Sequence, residues 1–477
     1  MAGSPGADPP VRGRETVSAT RQRQPNILLV VADQMPPFLL EACGHAGART
    51  RHLAALRDRG VEFGAAYTAS PICVPARAGL MTGQLVSRLG CYDNGDPFPS
   101  YVPTFAHYLT NAGYDVVLSG KMHFIGADQL HGFRRRLTAV VYPAGFLWAY
   151  PLPEGDAPAA FDFVRQYQAA NIGAGWSTEL QYDEETHFRA IEYLRHAPRD
   201  RPFALTVSYT NPHPPYRVPA AYWELYRDAD LPLPHYPQDL ERHYSEFDRA
   251  LMRWHGLDRK SIREPEHLLA MRRGFAALSH YIDDKLGELL AVLEEQGLAA
   301  DTVVVFTSDH GDMLGERGLI QKRSFYEWST RIPLFVACPG GRPARIDTPV
   351  SLLDLPPTLL ALAGVEPACA MDGRSLLPAL QGLPLEERPV VAEYHGEGIM
   401  RPCVMVRQGD WKYVYVHQAA PQLFHLASDP GEWRNRAGDP AVREIEAALH
   451  DLVTGGRFEL ARIEAEAWAR LPQKEVV

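Results

Sequence analysis

Three polar clusters each follow a run of β-prone residues. Asp33 and Gln34 close NILLVVA, His213 comes shortly after PFALTVSY, and Asp309 and His310 follow TVVVFTS. Ligands of open α/β sheets bind beyond the carboxyl ends of the strands, so these clusters are expected to share one rim. Asp33, Gln34, Asp309 and His310 offer mainly oxygen donors and one imidazole. Such a set suits one hard divalent cation, calcium, magnesium or manganese, better than structural zinc, and the spacing does not choose among the three. Asp33 or Asp309 alone would more often be a helix cap. Three clusters at once make that reading poor.

Further candidates lie between the first two clusters. Arg77 stands four residues after Cys73, one helical turn away on the same face. Lys121 and His123 are two apart at the end of YDVVLS, and share a face if that segment stays extended.

The elements that must carry these residues alternate. NILLVVA is continuously apolar, as expected for a strand covered on both faces in a parallel sheet. Helical spacing over 49–59, strands over 61–67 and 114–119, and a helix over 104–111 stopped by Gly113 continue the rhythm. A helix over 183–195, a strand over 202–209, one or two long helices over 266–296, strands at 302–307 and 333–337, and a helix over 352–363 complete it. The fold expected is α/β: a large mixed, mostly parallel sheet sandwiched by helices, with a small C-terminal α+β domain built on an antiparallel sheet. Residues 1–24 are assigned to a disordered leader, 25–384 to the catalytic domain and 385–477 to the small domain. The stretch 142–181, rich in Gly, Pro, Trp and Tyr, is expected to form a lid or pocket wall.

One motif narrows the chemistry. Cys73-Val74-Pro75-Ala76-Arg77, with Leu80-Met81-Thr82-Gly83 after it, resembles the signature of formylglycine-dependent sulfatases of the alkaline phosphatase superfamily. The segments Tyr92-Asp93-Asn94, 102–109, 118–124 and 128–133 look like choline sulfatase, and phosphonate monoester hydrolases share the Asp-Gln start. Two departures from the choline sulfatase pattern are the His213-Pro214-Pro215-Tyr216 segment and a short C-terminus.

The resemblance implies that Cys73 is oxidised to formylglycine by a sulfatase-maturing enzyme and joins Asp33, Gln34, Asp309 and His310 around the metal. It implies Cys73, Arg77, His123 and His213 as catalytic residues: nucleophile, support of the metal-bound aldehyde, base that opens the hemiacetal, and acid for the leaving oxygen. Lys121 and Lys322 would hold sulfate oxygens, with Arg323 a rival for Lys322. Trp148, with Tyr142, Phe146 and Tyr150, would supply aromatic faces, and Glu393 or Glu397 a carboxylate for a cationic alcohol. The implied activity is hydrolysis of a small sulfate monoester, such as choline sulfate or an aryl or alkyl sulfate. The alternative is a phosphonate monoester or phosphodiester hydrolase using the same site. A non-catalytic anion-binding descendant of the fold is disfavoured by intact Cys73, Arg77, Lys121, His123, Asp309 and His310.

Bulk properties restrict partners. A net charge of -10, from 58 acidic and 48 basic side chains, argues against nucleic-acid binding. The longest apolar runs, such as 27–32, are too short to span a bilayer. Six cysteines show neither zinc-ribbon spacing nor disulfide density. The polar N-terminal stretch lacks the apolar core of a signal peptide, which points to the cytoplasm. A homo-oligomer is the expected state.

Overall fold

The apolar run 26–32 is the middle of the structure. In the computed structural model, which describes residues 24–140, 166–257, 262–399 and 401–470, every residue of Asn26–Ala32 is buried. Leu28, Val30 and Ala32 pack into one hydrophobic layer, and Ile27, Leu29 and Val31 into the other. Side chains alternate across a strand, so only a strand covered on both faces needs an unbroken apolar sequence.

Eight strands form the central sheet. In chain order they are β1 (Asn26–Ala32), β2 (Val61–Phe63), β3 (Asp115–Gly120), β4 (Arg135–Arg136), β5 (Phe203–Ser208), β6 (Thr302–Ser308), β7 (Leu334–Ala337) and β8 (Ala344–Ile346). Their spatial order is β8-β2-β7-β6-β1-β5-β3-β4. β1 pairs in parallel with both β5 and β6, and β5 pairs in parallel with β3. β7 is the antiparallel exception, paired against β6 and β2. The carboxyl ends of β1, β3, β5 and β6 therefore lie side by side.

Helices cover the sheet: α1 (Arg51–Arg57), α2 (Cys73–Thr82), α3 (Phe105–Asn111), α4 (Thr178–Arg195), α5 (Glu246–His255), α6 (Pro265–Glu295) and α7 (Leu355–Leu362). The 266–296 region is one helix, α6. It carries Phe275, Leu278, Ile282, Leu286 and Leu289 into the layer containing Leu28 and Val30. The opposite layer takes Val74, Ala78 and Met81 of α2, Phe105 and Leu109 of α3, and Leu359 of α7. α3 begins on a capping box in which Thr104 Oγ1 accepts from His107 N–H.

A second sheet follows: β9 (Val390–Tyr394), β10 (Cys403–Gln408), β11 (Trp411–Val416) and β12 (Gln422–His425), antiparallel throughout and closed by α8 (Arg443–Thr454) and α9 (Leu460–Ala469). It packs onto the first sheet's helical layer, with Val391, Val404 and Val406 meeting Ala69, Leu85, Val86 and Leu353. Among the described residues no helix is long and apolar enough to cross a membrane.

Candidate active site and metal centre

Arg77 organises the rim. Its Nη2 lies 2.8 Å from Asp33 Oδ2 and its Nε 2.8 Å from Asp309 Oδ2, while Nη1 donates to the Lys121 carbonyl at 2.6 Å and to Ser208 Oγ at 2.9 Å. One buried guanidinium thus ties together the ends of β1, β3, β5 and β6. Lys121 Nζ adds a contact to Asp33 Oδ2 at 2.5 Å. Burial opposes ionisation of Asp33, but Lys121 and Arg77 outweigh it and hold this carboxyl well below its usual range.

Cys73 opens α2, so its side chain meets the positive end of a ten-residue helix. Sγ lies 3.2 Å from His310 Nε2 and 4.0 Å from Lys121 Nζ. Burial and Asp33 raise the thiol's pKa, yet Lys121, Lys322 and His310 bring it well below the ordinary value. His310 Nδ1 sits 3.0 Å from the Gly311 carbonyl and Nε2 faces Cys73; burial opposes its protonation, but Asp309 and Cys73 outweigh that and raise its pKa.

The donor atoms fit a divalent cation. Ligand atoms of Asp33, Cys73, Asp309 and His310 all lie within 4.8 Å of one another, and all four residues are buried. Asp33 Oδ1 is buried with no hydrogen-bond partner among the described residues, a costly arrangement unless an ion takes the lone pairs. Gln34 turns its side-chain Oε1 toward Lys322 Nζ, while its Nε2 donates to Asp312 Oδ2 at 2.5 Å and to Tyr167 Oη at 3.2 Å. Tyr167 and Tyr216 hydroxyls each donate to the same Asp312 oxygen at 3.0 Å.

Lys121 and His123 do converge, by a different route from the one expected. β3 ends at Gly120, whose φ is +105°, and a Cβ there would lie 2.0 Å from the Ser208 carbonyl oxygen. His123 itself has φ +56°, so the segment turns instead of continuing extended. The turn brings His123 near enough to Cys73 for the thiol to act on its ionisation. Burial, with Lys121 and Arg77 alongside, pushes His123 down to about 4 against that effect, leaving the imidazole neutral near pH 7. His213 is buried beyond the end of β5, its Nδ1 2.7 Å from the Pro214 carbonyl; burial, with Lys322 and Lys121, holds its pKa well below the ordinary value against Asp33 and Cys73.

The remaining predicted residues separate. Lys322 faces the site, whereas its rival Arg323 is spent on Glu397, with Nε 2.8 Å from Oε2. Glu393 does not reach the rim as a counter-ion: Oε2 accepts from Ser87 N–H at 3.1 Å and Oε1 lies 3.2 Å from His395 Nε2. Its position in β9, clamped against the 86–89 turn, is the physical reason. Trp148, Tyr142, Phe146 and Tyr150 lie outside the described residues. Asn94, Asp312, Tyr167 and Tyr216 were not singled out for the site from sequence; Asn94 Oδ1 accepts from Val74 N–H at 2.9 Å, beside the nucleophile. None of the six cysteines is paired in a disulfide.

A parallel-sheet rim bearing carboxylates, an imidazole and a helix-borne nucleophile defines a hydrolase of the alkaline phosphatase type. The profile of the Sulfatase family matches residues 25–365, and that of the N-sulphoglucosamine sulphohydrolase C-terminal region matches 315–457. The chain belongs to the sulfatase family. It is 39% identical over 470 residues to the choline-sulfatase of Rhizobium meliloti (strain 1021), covering 93% of this chain and 90% of that protein. It is 31% identical to the multifunctional alkaline phosphatase superfamily protein PehA of Trinickia caryophylli, covering 88% and 92%. The phosphonate monoester hydrolase SpPMH from Silicibacter pomeroyi superposes with a TM-score of 0.73 at 25% identity, over 92% of this chain and 96% of that one.

Proposed function

We propose that this protein hydrolyses a small organic sulfate monoester to an alcohol and inorganic sulfate through a formylglycine at position 73. The observation that carries the reading is the placement of Cys73 at the start of a buried helix, with Lys121 and His310 against Sγ and Asp33 and Asp309 alongside. Sγ stands where the hydroxyl oxygens of the hydrated aldehyde would sit. A divalent cation held by Asp33, Gln34, Asp309 and His310, calcium by preference, would neutralise sulfate oxygens and favour ionisation of a neighbouring hydroxyl.

The side chains then divide the work. Lys121 and Lys322 hold sulfate oxygens at fixed positions, which stabilises charge developing on the sulfuryl group. One hydroxyl at position 73 attacks sulfur, and His213, neutral at rest, carries that hydroxyl's proton to the departing alcohol oxygen. His123, neutral beforehand, takes the proton of the second hydroxyl. The C–O bond to the sulfated oxygen breaks, sulfate leaves, and the aldehyde returns. No water has to attack the crowded, anionic sulfur.

Peptide mass spectrometry over residue 73, combined with kinetics on sulfate monoesters, phosphonate monoesters and phosphodiesters, tests the reading. It expects loss of the thiol with gain of an aldehyde, and the highest kcat/KM on sulfates. Cys73→Ala should abolish turnover with the fold intact. Full activity with an unmodified thiol would reject the mechanism, and faster phosphonate cleavage would reject the substrate class.

A further inference from the structure

Asp183 is a fully buried carboxylate in α4 that takes no part in the chemistry described above. The helix that carries it is tied to the rim, because Ser119 Oγ at the end of β3 donates to the Thr186 carbonyl at 2.7 Å. From this platform the carboxylate reaches the segment that follows β5. Its Oδ1 accepts from Thr210 N–H at 2.7 Å and from Thr210 Oγ1 at 2.8 Å. Its Oδ2 accepts from Asn211 N–H at 2.9 Å and from Asn211 Nδ2 at 2.7 Å. A carboxylate offers about four lone-pair sites, so one side chain satisfies every one of these donors from two consecutive residues. An amide in its place would turn an NH2 group toward one of the two pairs.

The same two residues hold the site through their carbonyls. Thr210 O accepts from His213 N–H at 3.1 Å, and Asn211 O accepts from Asp33 N–H at 3.4 Å. The His213 ring is tied to its own loop as well: the Pro214 carbonyl, 2.7 Å from Nδ1, can only accept, so the proton of the neutral ring sits on Nδ1. Nε2 is then the atom that takes a proton and gives it up. Backbone and ring of His213 both follow the 210–214 turn, and Asp183 grips that turn at its start.

Resting on the sulfatase reading above, we propose that Asp183 is a positioning residue for the leaving-group acid, fixing the 210–211 segment so that His213 Nε2 meets the departing alcohol oxygen. It acts through Thr210 and Asn211, not on the ester. Proton delivery matters more as the leaving oxygen becomes more basic. A nitrophenolate departs nearly as well without it, whereas the anion of an ordinary phenol or alcohol does not. The geometry therefore ties Asp183 to the esters of weakly acidic alcohols.

The test compares para-nitrophenyl sulfate with para-methylphenyl sulfate on calcium-loaded protein carrying formylglycine. The two esters are similar in shape and differ in the acidity of the phenol released. Asp183→Asn should lower kcat/KM by about 100-fold on the methylphenyl ester, as a small misplacement of a reacting group does, and by about threefold or less on the nitrophenyl ester. His213→Ala should show the same split. Adding Asp183→Asn to it should cost less than about twofold more, since two residues that act through one group are not additive. Thr210→Val removes one of the donors, keeps the backbone N–H, and should show the split at smaller size even if Asp183→Asn does not fold. Equal losses on both esters in either variant, or an undiminished further loss in the double variant, overturn the proposal. A His213→Ala that shows no split strikes the acid assigned above, and a wild type that cleaves neither ester strikes the sulfatase reading; the proposal falls with either.

Discussion

The carboxylate of Asp312 holds the amide of Gln34 one way round. Gln34 Nε2 donates to Asp312 Oδ2 at 2.5 Å, so Oε1 must face Lys322 and the donor cluster. An amide free to flip would offer its NH2 group to the cation half of the time. Groups behind a metal ligand typically change affinity about 10–100-fold when altered. Asp312→Asn, whose own amide can present either end, is expected to weaken calcium or manganese binding in this range by titration calorimetry. Tyr216→Phe removes one of the donors to Asp312 and should cost less. Unchanged affinity in Asp312→Asn would show that the amide needs no such restraint.

Arg77 carries a stability load as well as a structural one. Its guanidinium compensates Asp33 and Asp309, all three being buried. Removing one partner of a buried ion pair typically costs about 3–5 kcal/mol, because the other charge stays behind unpaired. Arg77→Met should lose stability on that order in denaturant unfolding without metal and regain part of it on adding calcium. A loss that added calcium does not reduce would mean that the two carboxylates are not shared with a cation.

The role proposed for His123 separates the two halves of the reaction. If it takes the proton that releases sulfate, His123→Ala should liberate alcohol once and then stall. The steady-state rate should fall by about 10²–10⁴. A rapid-mix assay should show a burst of about one alcohol per active site, and intact-mass measurement a sulfated residue 73. Slow turnover with no burst and no adduct would place His123 before the transfer step instead.

A pH effect is expected far from the rim. Asp283 on α6 accepts the N–H groups of His52 and Leu53, at 2.9 and 2.8 Å, and so caps α1. Burial outweighs these hydrogen bonds and raises it to about 7. A carboxyl with a folded pKa above its unfolded value of about 3.9 binds its proton more tightly in the native state. Its contribution to stability is therefore full below about pH 4 and is lost as pH rises through 7. Unfolding free energies across that window should slope less in Asp283→Asn than in the wild type; equal slopes would assign the titration elsewhere.

The strands were readable because each rests on local composition. NILLVVA has no reason to be apolar at every position unless both its faces are covered, and Leu28 and Leu29 do enter opposite layers. The cysteine motif and the residues ending β1, β5 and β6 were readable for the same reason. What joins distant segments was not. Asp312 and Gln34 are 278 positions apart, and nothing in GDMLGERG announces an amide partner. Lys121 and His123 were expected to share a rim through extended backbone, and the backbone there turns instead. That turn depends on the close approach of Gly120 to Ser208 across two strands. Glu393 and Glu397 looked equivalent in AEYHGEG. Only the folded chain shows one bound to Ser87 and the other to Arg323.

The seclusion of Cys73 carries a demand on timing. Its side chain is 2% exposed, with neighbours from every strand end of the rim closed around it and the second sheet anchored alongside through Glu393 N–H and the Ala69 carbonyl. Among the described residues, little of that side chain is open to a second protein once the chain has folded. If position 73 carries the proposed formylglycine, its oxidation is expected before this packing closes, and a maturing enzyme offered the folded protein should convert it more slowly than the unfolded one.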